Sequence, residues 1–289
     1  MNLEDLYTNY KPLLFSIAYR MLGSVSDAED VVQELFLSLQ QLERGQIQNM
    51  KAYMTKMVTN RCLNILNSAK RNREIYVGPW LPEPLMQRLD DDPLNKLERE
   101  ETISYAFLVM MDKLSPVERA VFILREAFQY EYSEIANILE KSEVNCRKIF
   151  SRVKQKVGQL SPELIPAEES EQKLVTKFIS ALTGGNLDAL LSLLTEDAVF
   201  ITDGGGKVRA AINPIFSQSR VMALLARISA KFFPETMAHL TTINGRAGVL
   251  LSRDGRPTGT ICFEWEKHSL KIKRMYLVLN PDKLKHIQI

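Results

Sequence analysis

Cysteine is scarce in this chain of 289 residues. The three present, Cys62, Cys146 and Cys262, stand far apart, with none of the close spacings of a metal site or disulfide framework. They predict three small buried side chains in a reducing compartment, the cytoplasm, with no metal and no cofactor. Long apolar runs are missing as well. Nothing approaches the ~20 residues that cross a bilayer, so no membrane partner is expected. The first ten residues, MNLEDLYTNY, are acidic and polar, which speaks against a signal peptide. Internal repeats and low-complexity tracts are absent. Net charge is also nearly absent, at +2, and the information lies in its distribution.

Positions 27–34 hold four acids, Asp27, Glu29, Asp30 and Glu34, and no base. Positions 141–156 hold six bases against the single acid Glu143. Segregated charge of this kind suggests separate surfaces for a basic partner and for a polyanion.

The length exceeds one core of roughly 100–150 residues and predicts several domains. The breaks fall at proline clusters, which cannot continue a helix. The first is the stretch 76–84, with Gly78 and the string Trp80-Leu81-Pro82-Glu83-Pro84, followed by Asp90-Asp91-Asp92-Pro93. The second lies at Pro162 and Pro166. The predicted organisation is a helical domain at 1–75, a linker at 76–100, a helical domain at 101–160, a linker at 161–169 and a mixed domain at 170–289. In the last, helical periodicity gives way to short β-rich runs broken at Asn244-Gly245, Asp254-Gly255 and Lys267-His268.

Three helical patterns carry chemistry on one face. A helix over 26–42 has an apolar stripe from Ala28 to Leu42, with Ser26 expected as N-cap. Asp27, Asp30 and Glu34 line another face. A helix over 50–73 buries Met54, Met57, Val58, Cys62, Ile65 and Ala69, and sets Lys56, Asn60, Asn64, Asn67 and Arg71 along a second line. Asparagine is an indifferent helix former, whereas its amide can donate and accept at base edges. The alternative is a polar surface helix with a basic last turn, which the helix dipole favours by itself.

The third pattern is a helix over 116–128, a short helix over 132–140 capped by Ser133, a turn, and a basic helix over 143–157. Short helix, tight turn and longer basic helix is the pattern of a helix-turn-helix, whose second helix enters the major groove; the alternative is a generic three-helix bundle. Asn145, Lys148 and Arg152 share its exposed side. Glu140 and Lys141 stand in the turn, where glycine often relieves a left-handed conformation.

These segments resemble the bacterial sigma factors of the extracytoplasmic-function class. The stretch 27–36, Asp-Ala-Glu-Asp-Val-Val-Gln-Glu-Leu-Phe, is similar to the polymerase-binding helix, 53–73 to the minus-ten recognition helix, and 114–157 to the minus-thirty-five domain. Three strings, Trp80-Leu81-Pro82-Glu83-Pro84, Asp203-Gly204-Gly205-Gly206-Lys207 and Asn280-Pro281-Asp282-Lys283-Leu284, resemble signatures of SigJ-like factors, in which a SnoaL-like (NTF2-like) domain follows the sigma domains. The resemblance implies two all-α sigma domains followed by an α+β cone.

It also implies a transcription initiation factor rather than an enzyme, with core RNA polymerase and promoter DNA as partners. Asp27, Asp30, Gln33 and Glu34 would contact polymerase. Lys56, Asn60, Asn64, Asn67 and Arg71 would read the minus-ten element, with 43–50 helping to hold an unstacked base. Asn145, Arg147, Lys148, Ser151 and Arg152 would read or grip the minus-thirty-five element. Trp80, Leu81, Pro82, Glu83, Asp203, Gly204, Gly205, Gly206, Lys207, Asn280, Pro281, Asp282 and Lys283 would join linker, cone and tail into a regulatory contact. Trp80 is its expected anchor, with Lys207 and Lys283 paired to Glu83 or to Asp90–Asp92.

The competing expectation is an enzyme or small-molecule binder fused to a DNA-binding module, since such cones include catalysts. Its candidates are Asp203, His239 and His268, each of which also has a structural explanation: a glycine-rich turn, a strand and a hairpin turn.

Overall fold

The computed structural model describes residues 3–41, 47–73, 76–86, 104–158, 168–232, 235–266 and 269–288, without the side chains of 69–73, 168, 231 and 232. The chain divides into two compact units. The first takes its described residues from Met1–Glu74 and Leu108–Ser161, the second from Ile75–Leu89, Thr102–Phe107 and Pro162–Ile289.

The first unit is helical. α1 (Leu3–Leu22) turns into α2 (Val25–Gln40) through Gly23, whose φ of 68° suits a residue without Cβ. Ser24, not Ser26, caps α2: its extended backbone lets Oγ accept from Asp27 N at 3.1 Å, while Ser26 already sits in the first turn. α3 (Met50–Arg73) begins where Asn49 Oδ1 accepts from Ala52 N. Leu14, Ile17, Met21, Leu35, Leu39, Met54 and Cys62 close the core of these helices. The expected asymmetry of α2 is present, with Val31, Val32, Leu35 and Phe36 inside and Asp30, Gln33 and Glu34 outside.

α4 (Tyr105–Met111) leads to α5 (Pro116–Phe122), which starts on a reciprocal Ser115/Glu118 capping box. The helix expected to run to Phe128 changes at Ile123 into a π turn, Ile123–Ala127. It ends at Gln129 and Tyr130, where Gln129 takes a φ of 55°. α6 (Tyr132–Leu139) is capped from Glu131, whose N–H donates to Glu134 at 2.8 Å, rather than from Ser133. Glu140 then takes the left-handed conformation (φ 53°, ψ 48°) and the chain enters α7 (Glu143–Gly158).

The second unit is α+β. α8 (Glu168–Thr183), α9 (Leu187–Leu193) and α10 (Gln218–Phe232) accompany a six-stranded sheet of order β2-β1-β6-β5-β4-β3. Its strands are β1 (Leu194–Asp203), β2 (Ile215–Phe216), β3 (Met237–Ile243), β4 (Arg246–Arg253), β5 (Arg256–Trp265) and β6 (Ile272–Val278). All neighbours are antiparallel except β1 and β6. The glycine turns expected at 244–245 and 254–255 are present; His268 lies outside the described residues. Phe178, Phe200, Phe263, Trp265 and Met275 fill the interior, with Phe178 edge-on to Phe263 at 5.1 Å. Glu171 on α8 reaches the same interior and accepts from Trp265 Nε1 at 2.9 Å while pairing with Arg246. The α+β fold expected of residues 170–289 is present; the compact unit also takes in the segments 76–86 and 104–107, expected in the linker and the helical domain. The three cysteines are free and buried, and burial pushes their thiols up.

Candidate functional site

Of the polymerase-contact candidates, Asp27, Asp30, Gln33 and Glu34 are all exposed along α2. Glu34 has an internal partner that its own segment does not contain: Arg61 of α3 donates to it and, at 2.8 Å, to Ser38 Oγ. Leu37, 53% exposed, interrupts the acidic face one turn after Gln33 and Glu34. Helical spacing puts Leu37 opposite the stripe of Ala28, Leu35 and Leu39, so periodicity alone carries the signal of its exposure.

On α3, Asn64 and Asn67 are exposed, and Lys56 and Asn60 are half-buried. Arg71 has no described side chain, residues 43–46 and Asp90–Asp92 lie outside the described residues. α3 is also the seam of the first unit. Thr55, fully buried, shares a 2.9 Å hydrogen bond with Tyr130 at the end of the π turn. Lys56 Nζ lies 2.9 Å from the carboxylate of Glu140, the left-handed residue of the helix-turn-helix turn. That hydrogen bond holds the Glu140 carboxyl below its ordinary range. Arg119, almost wholly buried, donates to Met21 O at the end of α1 and to Asp112.

On α7, Cys146, Val153 and Val157 face inward, with Ile149 and Phe150 half-buried. Asn145, Arg147, Lys148, Ser151 and Arg152 are exposed. Arg147 is tethered: its guanidinium lies 4.4 Å from the Tyr132 ring centroid and 3.4 Å from Glu143. The α7 surface therefore presents an amide, a hydroxyl and cations to solvent, a set suited to phosphates and base edges. A cavity of about 450 Å³ beside it is lined by Arg125, Glu126, Gln129, Glu131, Tyr132, Phe150 and Lys154.

In the second unit the three signature strings meet around Asp203. Its carboxylate ends β1 with no exposure and accepts from Tyr76 Oη at 2.6 Å, Leu81 N at 2.8 Å, Gly205 N at 3.0 Å and Lys283 Nζ at 2.7 Å. Its backbone carbonyl accepts from Leu279 N and Asn280 N. Lys283 Nζ also donates to Leu81 O and stands 4.1 Å from the Trp80 ring centroid and 5.1 Å from that of Tyr76. Burial and the Asp203 acceptor push the Tyr76 phenol well up, so it stays a donor.

The glycines make this approach feasible. Gly205 has φ 58°, and a Cβ there would run into Asn280 and Tyr76 Oη; a Cβ at Gly204 would strike the Val208 carbonyl. Gly206, at φ 71°, lies against Val77. Asn280 donates to Tyr76 Oη at 3.0 Å and caps the 3₁₀ turn Pro281–Leu284 by accepting from Asp282 N.

Trp80, expected as the anchor, is half-buried and lies against Lys283, whereas the buried Asp203 carboxylate collects the hydrogen bonds; the expected ion pairs differ as well. Lys283 pairs with Asp203, because the carboxylate buried at the strand end needs a cation. Lys207 pairs with Asp282, also bound by Lys285 at 2.8 Å. Glu83 is buried near His286, whose Nε2 lies 2.8 Å from Pro84 O. Beyond the signatures, Tyr105 donates to Pro82 O at 2.6 Å and packs on Tyr276, while Leu85 and Asn244 exchange two hydrogen bonds. Sequence reasoning missed Tyr76, Tyr105 and His286; an aromatic beside a proline break was the available signal for the first.

As a catalytic base Asp203 is poorly placed, since both its oxygens are occupied by donors. His239 shares a 2.9 Å hydrogen bond with Ser252 across β3 and β4. No helix among the described residues is long and apolar enough to cross a membrane.

Known proteins match along most of the chain. Residues 6–72 match the Sigma-70 region 2 family and residues 104–157 the Sigma-70 region 4 family. The ECF RNA polymerase sigma factor SigJ of Mycobacterium tuberculosis is 32% identical over 240 residues, covering 81% of this chain and 76% of its own. The probable ECF RNA polymerase sigma factor SigI of the same species is 30% identical over 188 residues, 64% of each. The crystal structure of the M. tuberculosis SigJ superposes with a TM-score of 0.76 at 29% identity, over 96% of this chain and 97% of that one.

Proposed function

Because the chain belongs to the extracytoplasmic-function RNA polymerase sigma factors, we propose that it binds core RNA polymerase in the cytoplasm and directs it to a defined set of promoters. The acidic face of α2, with Asp27, Asp30, Gln33 and Glu34, docks on a positively charged surface of the polymerase. The Lys56, Asn60, Asn64, Asn67 and Arg71 line of α3 reads the minus-ten element, and α7 reads the minus-thirty-five element. The observation that carries this reading is the outward face of α7, which turns Asn145, Lys148, Ser151 and Arg152 to solvent on the second helix of a helix-turn-helix.

The α+β cone acts as a built-in regulator through the segment 76–86. Asp203, Lys283, Trp80 and Tyr76 fix the linker to the cone, and a contact within one chain benefits from a high effective concentration. The cone's occupation by a small ligand is the second way of regulating it, though Asp203 is already satisfied by protein donors.

The deciding experiment is in vitro transcription with core polymerase over a pool of genomic fragments. Full-length protein should yield a small set of transcripts sharing two upstream elements. Random initiation, or none, with intact core binding would overturn the promoter assignment.

A further inference from the structure

Charge and amide groups do not account for the whole outward face of α7. Val144 stands in its first turn and is 62% exposed, among the most exposed large apolar residues described. Its direction follows from helix geometry. At about 100° per residue, nine positions amount to half a turn beyond two full ones, so Val144 points directly away from the buried Val153. It occupies the middle of the outward face, with Lys148 one turn on and Ser151 two turns on. Asn145 and Arg152 lie toward one flank, and Arg147, held by Tyr132 and Glu143, toward the other.

The turn that carries Val144 is well fixed. Ser142 accepts from Asn145 N through its Oγ at 3.3 Å and from Cys146 N through its carbonyl at 3.0 Å. A β-branched residue is a mediocre choice for an exposed helical site, and burying its methyl groups is favourable. In a helix-turn-helix the first residues of the second helix are those that meet base edges. The floor of the major groove offers hydrogen-bond donors and acceptors with one hydrocarbon exception, the C5-methyl group of thymine.

We infer that Val144 is a specificity residue, packing its methyl groups on the C5-methyl of a thymine in the minus-thirty-five element while Lys148 and Arg152 hold the DNA beside it. The inference rests on the proposed role of α7. It assigns sequence selection to an apolar contact at the centre of the face, with the polar groups around it positioning the duplex.

The test uses the full chain bound to core polymerase and a promoter recovered from the transcription pool. Each thymine of the upstream element is replaced singly by deoxyuridine, which removes only the methyl group. At one position the wild-type complex should lose affinity roughly three- to fivefold, the amount expected for one methyl group buried. Val144→Ala should lose a similar factor on the unmodified promoter and be indifferent to deoxyuridine at that position. Circular dichroism should show Val144→Ala folded, since its side chain faces solvent. If Val144→Ala and wild type respond alike to every deoxyuridine, Val144 reads no methyl group. A Lys148→Ala/Arg152→Ala variant separates the two claims. Weaker promoter binding by that variant with no Val144 coupling sinks the Val144 role alone. Unchanged binding by it sinks the α7 reading, and the Val144 role with it.

Discussion

Lys283 Nζ lies 2.7 Å from Asp203 Oδ2, and neither side chain has appreciable access to solvent. A buried ion pair of this kind repays the desolvation of its charges only when further hydrogen bonds complete both partners. Here Tyr76, Leu81 N and Gly205 N complete the carboxylate, and Leu81 O and the Trp80 face complete the ammonium. Truncating either partner strands the other. Lys283→Ala or Asp203→Ala should therefore cost about 3–5 kcal/mol in chemical denaturation of the second unit. The double variant Asp203→Asn/Lys283→Met should recover part of that loss. Losses below ~1 kcal/mol for both single variants would mean that the pair is not desolvated as described.

Glu140 sets a backbone cost against an ion pair. A non-glycine residue in the left-handed region pays roughly 1–2 kcal/mol, whereas a solvent-exposed pair such as Lys56–Glu140 is screened and returns little. Glu140→Gly should consequently melt above Glu140→Ala by a margin of that backbone cost. Equal melting temperatures would remove the strain argument. Both variants release Lys56 from its partner, so both should raise affinity for minus-ten DNA at low salt.

Much of this molecule was legible because its signals are local. The acidic outer face of α2, the helix-turn-helix and the glycine turns of the sheet follow from residue spacing alone. Ser24 capping α2 in place of Ser26 is a two-residue shift, since three serine or aspartate positions there offer comparable oxygens. The long-range partners of polar and charged groups were not legible. Glu34 finds Arg61 across 27 positions, Thr55 finds Tyr130 across 75, and Asp203 finds Lys283 across 80. Nothing in a linear pattern states which buried carboxylate will claim which cation.

Polymerase binding gives a prediction in which Asp30 and Glu34 must be treated separately. Glu34→Lys would face Arg61 within the protein and disturb α3 as well as any partner. Asp30→Lys and Leu37→Asp change only the outer face of α2. Each should weaken core binding at least tenfold while leaving the melting temperature nearly unchanged, and Asp30→Lys should also reduce the salt dependence. Undiminished core capture by both would move the polymerase contact elsewhere.

Asp282 supplies a pH dependence. The hydrogen bonds from Lys207 and then Lys285 hold its carboxyl at about 2, below the ordinary 3.8. A depressed folded-state value stabilises the fold above the unfolded value and loses that contribution as pH falls toward 2. Asp282→Asn should flatten the stability profile of the second unit between pH 4 and 2 and leave its higher-pH slope unchanged. The side chain is solvent-facing, so the effect should shrink in high salt. An identical acid limb in wild type and Asp282→Asn would show the pair to be energetically silent.

Regulation by the cone is the prediction with the widest consequence. Tyr76, Trp80 and Leu81 are bound to Asp203 and Lys283, so the segment 76–81 is held against the end of β1 and the 3₁₀ turn and is not left as a free tether. If α3 and α7 read the two promoter elements as proposed, a held linker limits how far their packing within the first unit can open, and promoter output then depends on the second unit. Three changes probe the same contact with different severity. Trp80→Ala removes the aromatic face over Lys283, a chain ending before Asn280 removes Lys283 itself, and a chain ending before residue 170 removes the cone. Each should alter transcription from the selected promoters. The first two should act in the same direction, because both loosen the linker while the cone remains. Trp80 emission should shift to longer wavelength when Lys283 is lost, as water reaches the indole. Unchanged transcription in all three, with core affinity intact, would make the clasp a purely structural attachment.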